Sequence, residues 1–259
     1  MCLLLKRKLQ STTNKLVLPL AAILIILVFW QAVSSLGLVP KFMLPSPIDV
    51  VKALINDFPL LMSHAGVTLL ETFIGLSIGI VIGFFLAVLM DRFSPLRKAL
   101  YPLIVITQTI PTVAIAPLLV LWFGYEMLPK IILIVLVVFF PIAVNLLDGF
   151  RSADKDAISL LRSMGAGKGQ IFRYIKFPAA LGQFFASLKI SVSYAVVGAV
   201  ISEWLGGFNG LGVYMTRVKK AYSYDKMFAV IFLISALSLV LMWLVKYLQK
   251  KCMPWEMVK

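Results

Sequence analysis

Long apolar runs separated by short polar intervals make up most of the chain. A helix needs about 20 apolar residues to cross a hydrocarbon core. Runs of that kind predict six spans, at about residues 16–36, 65–90, 99–123, 130–147, 179–204 and 227–247. After the first run, the prolines of Val39-Pro40 and Leu44-Pro45-Ser46-Pro47 predict an extended connection. Ile48 to Met62 then reads as a short amphipathic helix at the membrane surface. The second span carries Gly75, Gly79 and Gly83 at four-residue intervals, one small-residue stripe against which another helix can pack. The third contains Pro111 and Pro117 among Thr107, Gln108, Thr109 and Thr112. Prolines free main-chain carbonyls that lipid cannot satisfy, so this span is expected to be kinked and to face the protein interior. A glycine-rich loop, Gly206 to Gly212, follows the fifth span.

The longest polar interval, Arg151 to Pro178, predicts two short amphipathic helices over about 154–177. Ala157, Leu160, Leu161 and Met164 recur at spacings of three and four. Asp154 and Asp156 suit a helix start, and Gly165-Ala166-Gly167 suits a helix end. Ile171, Phe172 and Ile175 form a second apolar edge that runs to Pro178. A solvated loop has no use for two apolar faces, so a docking partner is expected.

Composition changes this picture little. Hydrophobic residues are 61% and charged residues 14%, which places the chain in the membrane class. The net charge of +14 is informative only through its distribution. With the N-terminus inside, and Lys246 at the end of the last span counted with the tail, the inner segments hold four, three, six and four basic residues, 17 of the 25 in all. The positive-inside rule therefore predicts both termini and the Arg151 to Pro178 interval in the cytoplasm. Charge spread over four segments without interleaved aromatics excludes a nucleic-acid surface. Lys6, Arg7, Lys8 and Lys15 precede the first run with no small-residue cleavage site after it, so that run is expected to be a retained span. Cys2 and Cys252 both fall on the inner side, which argues against a disulfide, and no metal-ligand spacing occurs.

Candidate chemistry is sparse. His64 is the only histidine and has no nucleophile and orienting group beside it, so it reads as an interfacial residue. Gly165 to Gly169, GAGKG, resembles a phosphate loop but has Arg162 where the first glycine belongs and Gly169 where a magnesium-binding hydroxyl belongs. The chain is therefore expected to hydrolyse no ATP. Charges within spans are more informative, because each costs about 2.5 to 3.5 kcal/mol at a helix centre and so faces a bundle interior or a wet cavity. Glu71, Lys189 and Glu203 are of this kind, and Gln108, Asn145 and Trp204 are candidate cavity liners beside them. Pairing within the structure and contact with a transported solute are both open to these six residues.

Nearly the whole chain, from Leu44-Pro45-Ser46-Pro47 to the last span, resembles the permease subunits of binding-protein-dependent ABC importers, in the branch that handles sulfonates, taurine, nitrate and thiamine precursors. The family signature is Glu-Ala-Ala, three residues, Gly, nine residues, Ile, one residue and Leu-Pro. Gly165, Ile175 and Pro178 stand at matching places, as do Phe172 and Arg162-Ser163. Lys130, Pro141, Asn145, Gly149, Arg151, Asp154 and Glu203 also agree, and Lys189 stands where relatives have Arg. The Glu-Ala-Ala positions are instead Ser159, Leu160 and Leu161, with Asp156 one turn earlier as a possible substitute.

The resemblance implies an all-α, six-span fold of the type I importer permeases. Its coupling helices would dock on a cytoplasmic ATPase through Asp156, Ser159, Leu161, Arg162, Gly165, Ala166, Phe172, Ile175 and Pro178. It implies a second copy of the chain, an extracytoplasmic substrate-binding protein and a multi-pass place in the cell inner membrane. This chain would bind no cofactor, ATP and magnesium being held by the partner ATPase. Glu71 stands where sulfonate and nitrate relatives carry Arg, which favours an uncharged or weakly basic heterocycle such as hydroxymethylpyrimidine over oxyanions. Sulfonate, taurine, nitrate and riboflavin are the alternative solutes. A secondary transporter would need inverted repeats, and the Arg151 to Pro178 pattern has no second copy.

Overall fold

The computed structural model describes residues 2–37, 39, 40 and 42–254, with side chains from residue 17 onward. The side chains of Cys2, Lys6, Arg7, Lys8 and Lys15 lie outside the described residues, as does Lys259. The secondary structure of the described residues is helical, joined by turns and short loops, and contains no strand. Five helices are long and apolar enough to cross a membrane, and a bent pair makes a sixth span when counted as one.

The chain divides into two compact units. The first comprises Met1–Pro59 and Arg217–Ile231. Its helix α1, Cys2–Ser35, leaves the apolar side chains of Val17–Ser35 almost entirely uncovered, as a lipid-facing helix does. The connection expected to be extended is so at Ser46, but the Met43 and Leu44 N–H groups turn back onto the Pro40 carbonyl and Pro47 already opens the next helix; the segment is pinned in place. The Trp30 indole N–H donates to the Pro45 carbonyl at 3.0 Å, and the Ser34 hydroxyl donates to the Leu44 carbonyl at 3.0 Å. Ser46 caps α2, Pro47–Asn56, by accepting the Asp49 N–H.

The surface helix expected over 48–62 ends early. Asp57 breaks it, and Phe58 starts the next helix with Pro59 as its second residue, where the missing N–H costs nothing. Val50, Ala53 and Ala229 form a small core beside Trp30 and Phe228, and Lys226 pairs with Asp57 at 2.8 Å.

The second unit comprises Leu60–Thr216 and Phe232–Lys259. Helix α3, Phe58–Arg92, runs alongside α6, Met127–Arg151, and α9, Phe177–Leu205. The α6 and α9 pairing is extensive. Ile134, Val138, Ile142, Leu146 and Phe150, spaced by four, form a buried stripe of α6 that shares one core with Leu188, Val192, Ala195 and Ala199 of α9. The Gly75, Gly79 and Gly83 stripe packs on α6 as its spacing predicts. A methyl group at Gly75 would stand 2.5 Å from Ile134, and one at Gly79 would stand 2.7 Å from Val138.

The third span is broken rather than kinked. Helices α4, Ser94–Thr109, and α5, Thr112–Phe123, meet at 96°. Ile110 before Pro111 is extended, as the residue preceding a proline prefers. Pro117 stays inside α5 without ending it, and Gly124 ends that helix with φ +82°. The expectation that this region faces the interior is not met within one chain: Thr107, Gln108, Thr109, Ile110 and Pro111 are all exposed. The threonine hydroxyls return to their own helix, Thr107 to the Ile104 carbonyl and Thr109 to the Ile106 carbonyl, so local bonds offset part of the polarity.

A buried charge network and an exposed helix as candidate functional sites

Three of the in-span polar residues come together at one end of the second unit. Glu71 on α3 and Lys130 on α6 form an ion pair at 2.6 Å, both side chains almost fully buried. Glu203 near the end of α9 is 1% exposed. Its carboxylate accepts from the Thr68 hydroxyl at 2.7 Å and from the Gly212 N–H at 2.6 Å. The Thr68 oxygen in turn accepts the Leu211 N–H at 2.9 Å. His64, one turn before Thr68, accepts the Gly210 N–H on Nδ1 at 3.0 Å.

The loop after α9 is thus tied to α3 through its own backbone amides, and glycine is what permits the approach. Gly210 has φ +127°, and a side chain there would run into the Glu203 carboxylate. Gly207, with φ +138°, leaves room for the Lys130 ammonium, which a methyl group would meet at 2.9 Å. An ion pair taken out of water holds only when its remaining valences are satisfied. Within the pair, Glu71 Oε2 accepts no hydrogen bond among the described residues, whereas neighbouring Glu203, outside the pair, has two donors.

Sequence reasoning marked Glu71 and Glu203 but treated Lys130 only as a point of family likeness, and it read His64 as an interfacial residue. The structure buries His64 at 4% exposure as a loop anchor. A lone histidine before a small hydroxyl residue, with a glycine-rich loop far downstream, was the available signal. Glu71 is 1% exposed and already paired, so its charge does not face an open pathway within this chain.

The other four marked residues are scattered. Trp204, beside buried Glu203 in sequence, turns outward and is 45% exposed. Gln108 is exposed at the α4–α5 break, its amide N–H reaching the Leu136 carbonyl at 3.4 Å. Asn145 is half-buried and donates to the Pro141 carbonyl at 2.7 Å, one turn back along α6. Lys189 is half-buried midway along α9 and has no ion pair among the described residues.

At the opposite end, Asp154 caps α7, Lys155–Ser163, accepting the N–H groups of Asp156 and Ala157. The helix closes with Ala166 N–H on the Leu161 carbonyl and Gly165 N–H on the Arg162 carbonyl, Gly165 taking φ +82°. No residue of α7 is buried, and Leu160 and Met164 are 63% and 73% exposed. Asp156 and Leu160 are exposed, while Arg162 and Ala166 lie near the turn that closes the helix. The Ser159 hydroxyl bonds back to the Lys155 carbonyl, and Leu161 supplies the carbonyl that Ala166 caps.

The second apolar edge differs from expectation. α8, Lys168–Ile171, continues through a π turn, Phe172–Lys176, directly into α9. Pro178 therefore does not end a helix. The wide turn places Phe177 N–H on the Phe172 carbonyl just ahead of the proline, so the ladder absorbs the missing donor. Sharing a helix with α9, this edge is also covered. Ile171 is buried, and the Phe172 ring packs 5.1 Å from that of Phe150, while Ile175 is half-buried. Lys176 pairs with Asp91 at 2.7 Å. Of the two apolar edges, the α7 face is the one left without a cover among the described residues.

A family of binding-protein-dependent transport system inner membrane components matches residues 79–253. The formylaminopyrimidine transport permease protein ThiX of Halalkalibacterium halodurans is 38% identical over 92% of this chain and 95% of its own. The riboflavin transport system permease protein RibX of Chloroflexus aurantiacus is 31% identical over 90% of this chain and 85% of its own. Among solved structures, an inward-facing MetNI methionine ABC transporter matches with a TM-score of 0.65 at 21% identity, over 76% of this chain and 97% of that one. A bacterial alginate importer matches with the same TM-score at 15% identity, over 93% of this chain and 98% of that one. Fold and sequence agree: the chain belongs to the binding-protein-dependent inner membrane component family and is a multi-pass permease subunit of an ABC importer.

Proposed function

We propose that two copies of this chain form a pathway for a pyrimidine precursor of thiamine, driven by a separate ATPase that docks on α7. The exposed α4–α5 break carries the reading. Non-helical backbone at membrane depth survives only where protein buries it or water lines it, and lipid can do neither. Gln108, Thr109 and Ile110 stand at that break exposed among the described residues. A second bundle facing them supplies the cover and leaves a polar passage between the two. Lys189, Asn145 and Trp204 are candidates for the same passage.

The inward orientation of α7 and both termini follows from the basic residues of the inner segments. The exposed Leu160 and Met164 on a helix capped at both ends suit a rigid element pushed by a partner. ATP and magnesium then belong to the ATPase, with solute delivered by a binding protein. The pyrimidine assignment is supported by the likeness to the formylaminopyrimidine permease over nearly the full length of both chains. Glu71 adds little to it, since Lys130 neutralises the charge that would repel an oxyanion.

Cysteine placed at Gln108 or Thr109, with Cys2 and Cys252 replaced, tests the pathway. Disulfide-linked dimers and labelling by a membrane-impermeant thiol reagent are expected. Unlinked, unlabelled protein that still imports would defeat the reading. For the solute, uptake of a formylaminopyrimidine by the assembled transporter is expected, with taurine, sulfonates and riboflavin as the competing arms.

A further inference from the structure

We infer that a cavity behind α7 is an anion site for a phosphate-bearing ligand with an apolar flank. The cavity, of about 490 Å³, lies between the end of α3, α7 and the α8–π segment. Arg92, Arg162, Lys168 and Lys176 reach it from all three. Asp91, the acidic residue among its walls, is taken by Lys176 at 2.7 and 2.8 Å. Arg92, Arg162 and Lys168 have no ion pair among the described residues. Three uncompensated cations around one space repel one another, and an anion of two charges relieves that repulsion.

Arginine forks and a lysine point charge suit phosphate oxygens. Val88, Ile158, Ile171 and Phe172 line the same space, so a bare inorganic ion would leave that surface empty. The GAGKG segment, which fails as a nucleotide-hydrolysing loop, supplies Lys168 and Gly169 here. Such a ligand joins α7 to the end of α3 and so sets how firmly α7 is held. That consequence rests on α7 being the coupling element proposed above, whereas binding does not.

Two sources share this chemistry. One is an anionic phospholipid headgroup, reached from the membrane at the end of α3, where basic pockets between spanning helices take such groups. The other is a soluble phosphate ester.

Thermal unfolding of the purified chain in neutral detergent, titrated separately with dioctanoyl phosphatidylglycerol, dioctanoyl phosphatidylcholine and glycerol 3-phosphate, tests the inference. Saturable stabilisation by phosphatidylglycerol and none by phosphatidylcholine is expected. Arg92→Gln combined with Lys168→Gln is expected to weaken it about 30-fold, which is roughly fivefold for each positive charge removed. Arg92→Lys with Lys168→Arg is expected to retain it, and Lys250→Gln, which removes one inner charge elsewhere, to leave it unchanged. Equal stabilisation by glycerol 3-phosphate upholds the anion site, assigns it to a soluble ester and overturns the apolar flank. No saturable shift with either phosphate, or full affinity in the double Gln variant, overturns it. If the double variant does not accumulate, Arg92→Gln alone carries the comparison with about a fivefold weakening. A failure here leaves the Gln108 cross-linking result untouched, so the two readings fall separately.

Discussion

The two polar ends of the second unit are built on opposite plans. At one end, Glu71, Lys130, Glu203, Thr68 and His64 are buried and bonded across α3, α6, α9 and the glycine loop. At the other, α7 is capped at both ends by its own residues and buries none of its side chains. The first end turns its polar groups on the chain itself, and the second keeps an apolar face for something else. Even their glycines divide this way. Gly210 and Gly165 both have positive φ, yet a side chain at Gly210 collides with Glu203 while one at Gly165 meets open space.

Substitutions can break this contrast, and the largest effect belongs to the buried end. Lys130→Met leaves the Glu71 carboxylate buried and unpaired, at an expected cost of about 3 to 5 kcal/mol. Loss of folded protein in detergent by size exclusion and melting would register it, and Glu71→Met in the same chain is expected to restore most of it. Restoration failing would mean that Glu71 does not depend on Lys130 as the 2.6 Å pair indicates.

Next comes Gly210→Ala, which combines a disfavoured backbone angle with a clash. It is expected to cost about 1 to 3 kcal/mol, read as a lower melting temperature and faster proteolysis of the 206–212 loop. Gly165→Ala carries the backbone term alone, at about 1 kcal/mol. Gly165→Val goes further and should distort the end of α7. Folded protein is expected, with ATP hydrolysis by the assembled transporter no longer linked to uptake. Wild-type uptake per ATP in that variant would remove α7 from the coupling role.

The smallest effect on stability is expected from Leu160→Ala. That side chain is already in solvent, so the melting temperature should hold while affinity for the ATPase falls. An unchanged affinity would make the exposed face of α7 a solvated surface.

Much of this contrast is legible in the chain. The order of apolar runs, the four-residue glycine stripe, a bend at Pro111, which the structure deepens to a break, and the Asp154 and Gly165 caps of α7 all follow from neighbours within a few residues. Local rules govern them: a proline removes a donor, and a glycine accepts a left-handed angle. Pro178 shows where such rules run out. It reads as a stop, but the π turn just ahead of it lets the helix continue, and with it the second apolar edge becomes core.

The sequence by itself determined that this is a membrane bundle and which end of α7 carries which cap. It also determined the family, since the Gly165 to Pro178 spacing is written directly along the chain. Only the tertiary structure decided what the in-span charges do. Glu71 meets a lysine 59 residues later, and Glu203 meets a threonine 135 residues earlier. No local pattern encodes those distances. Partner choice among buried charges depends on which helix faces which, and the close packing of α3, α6 and α9 sets that.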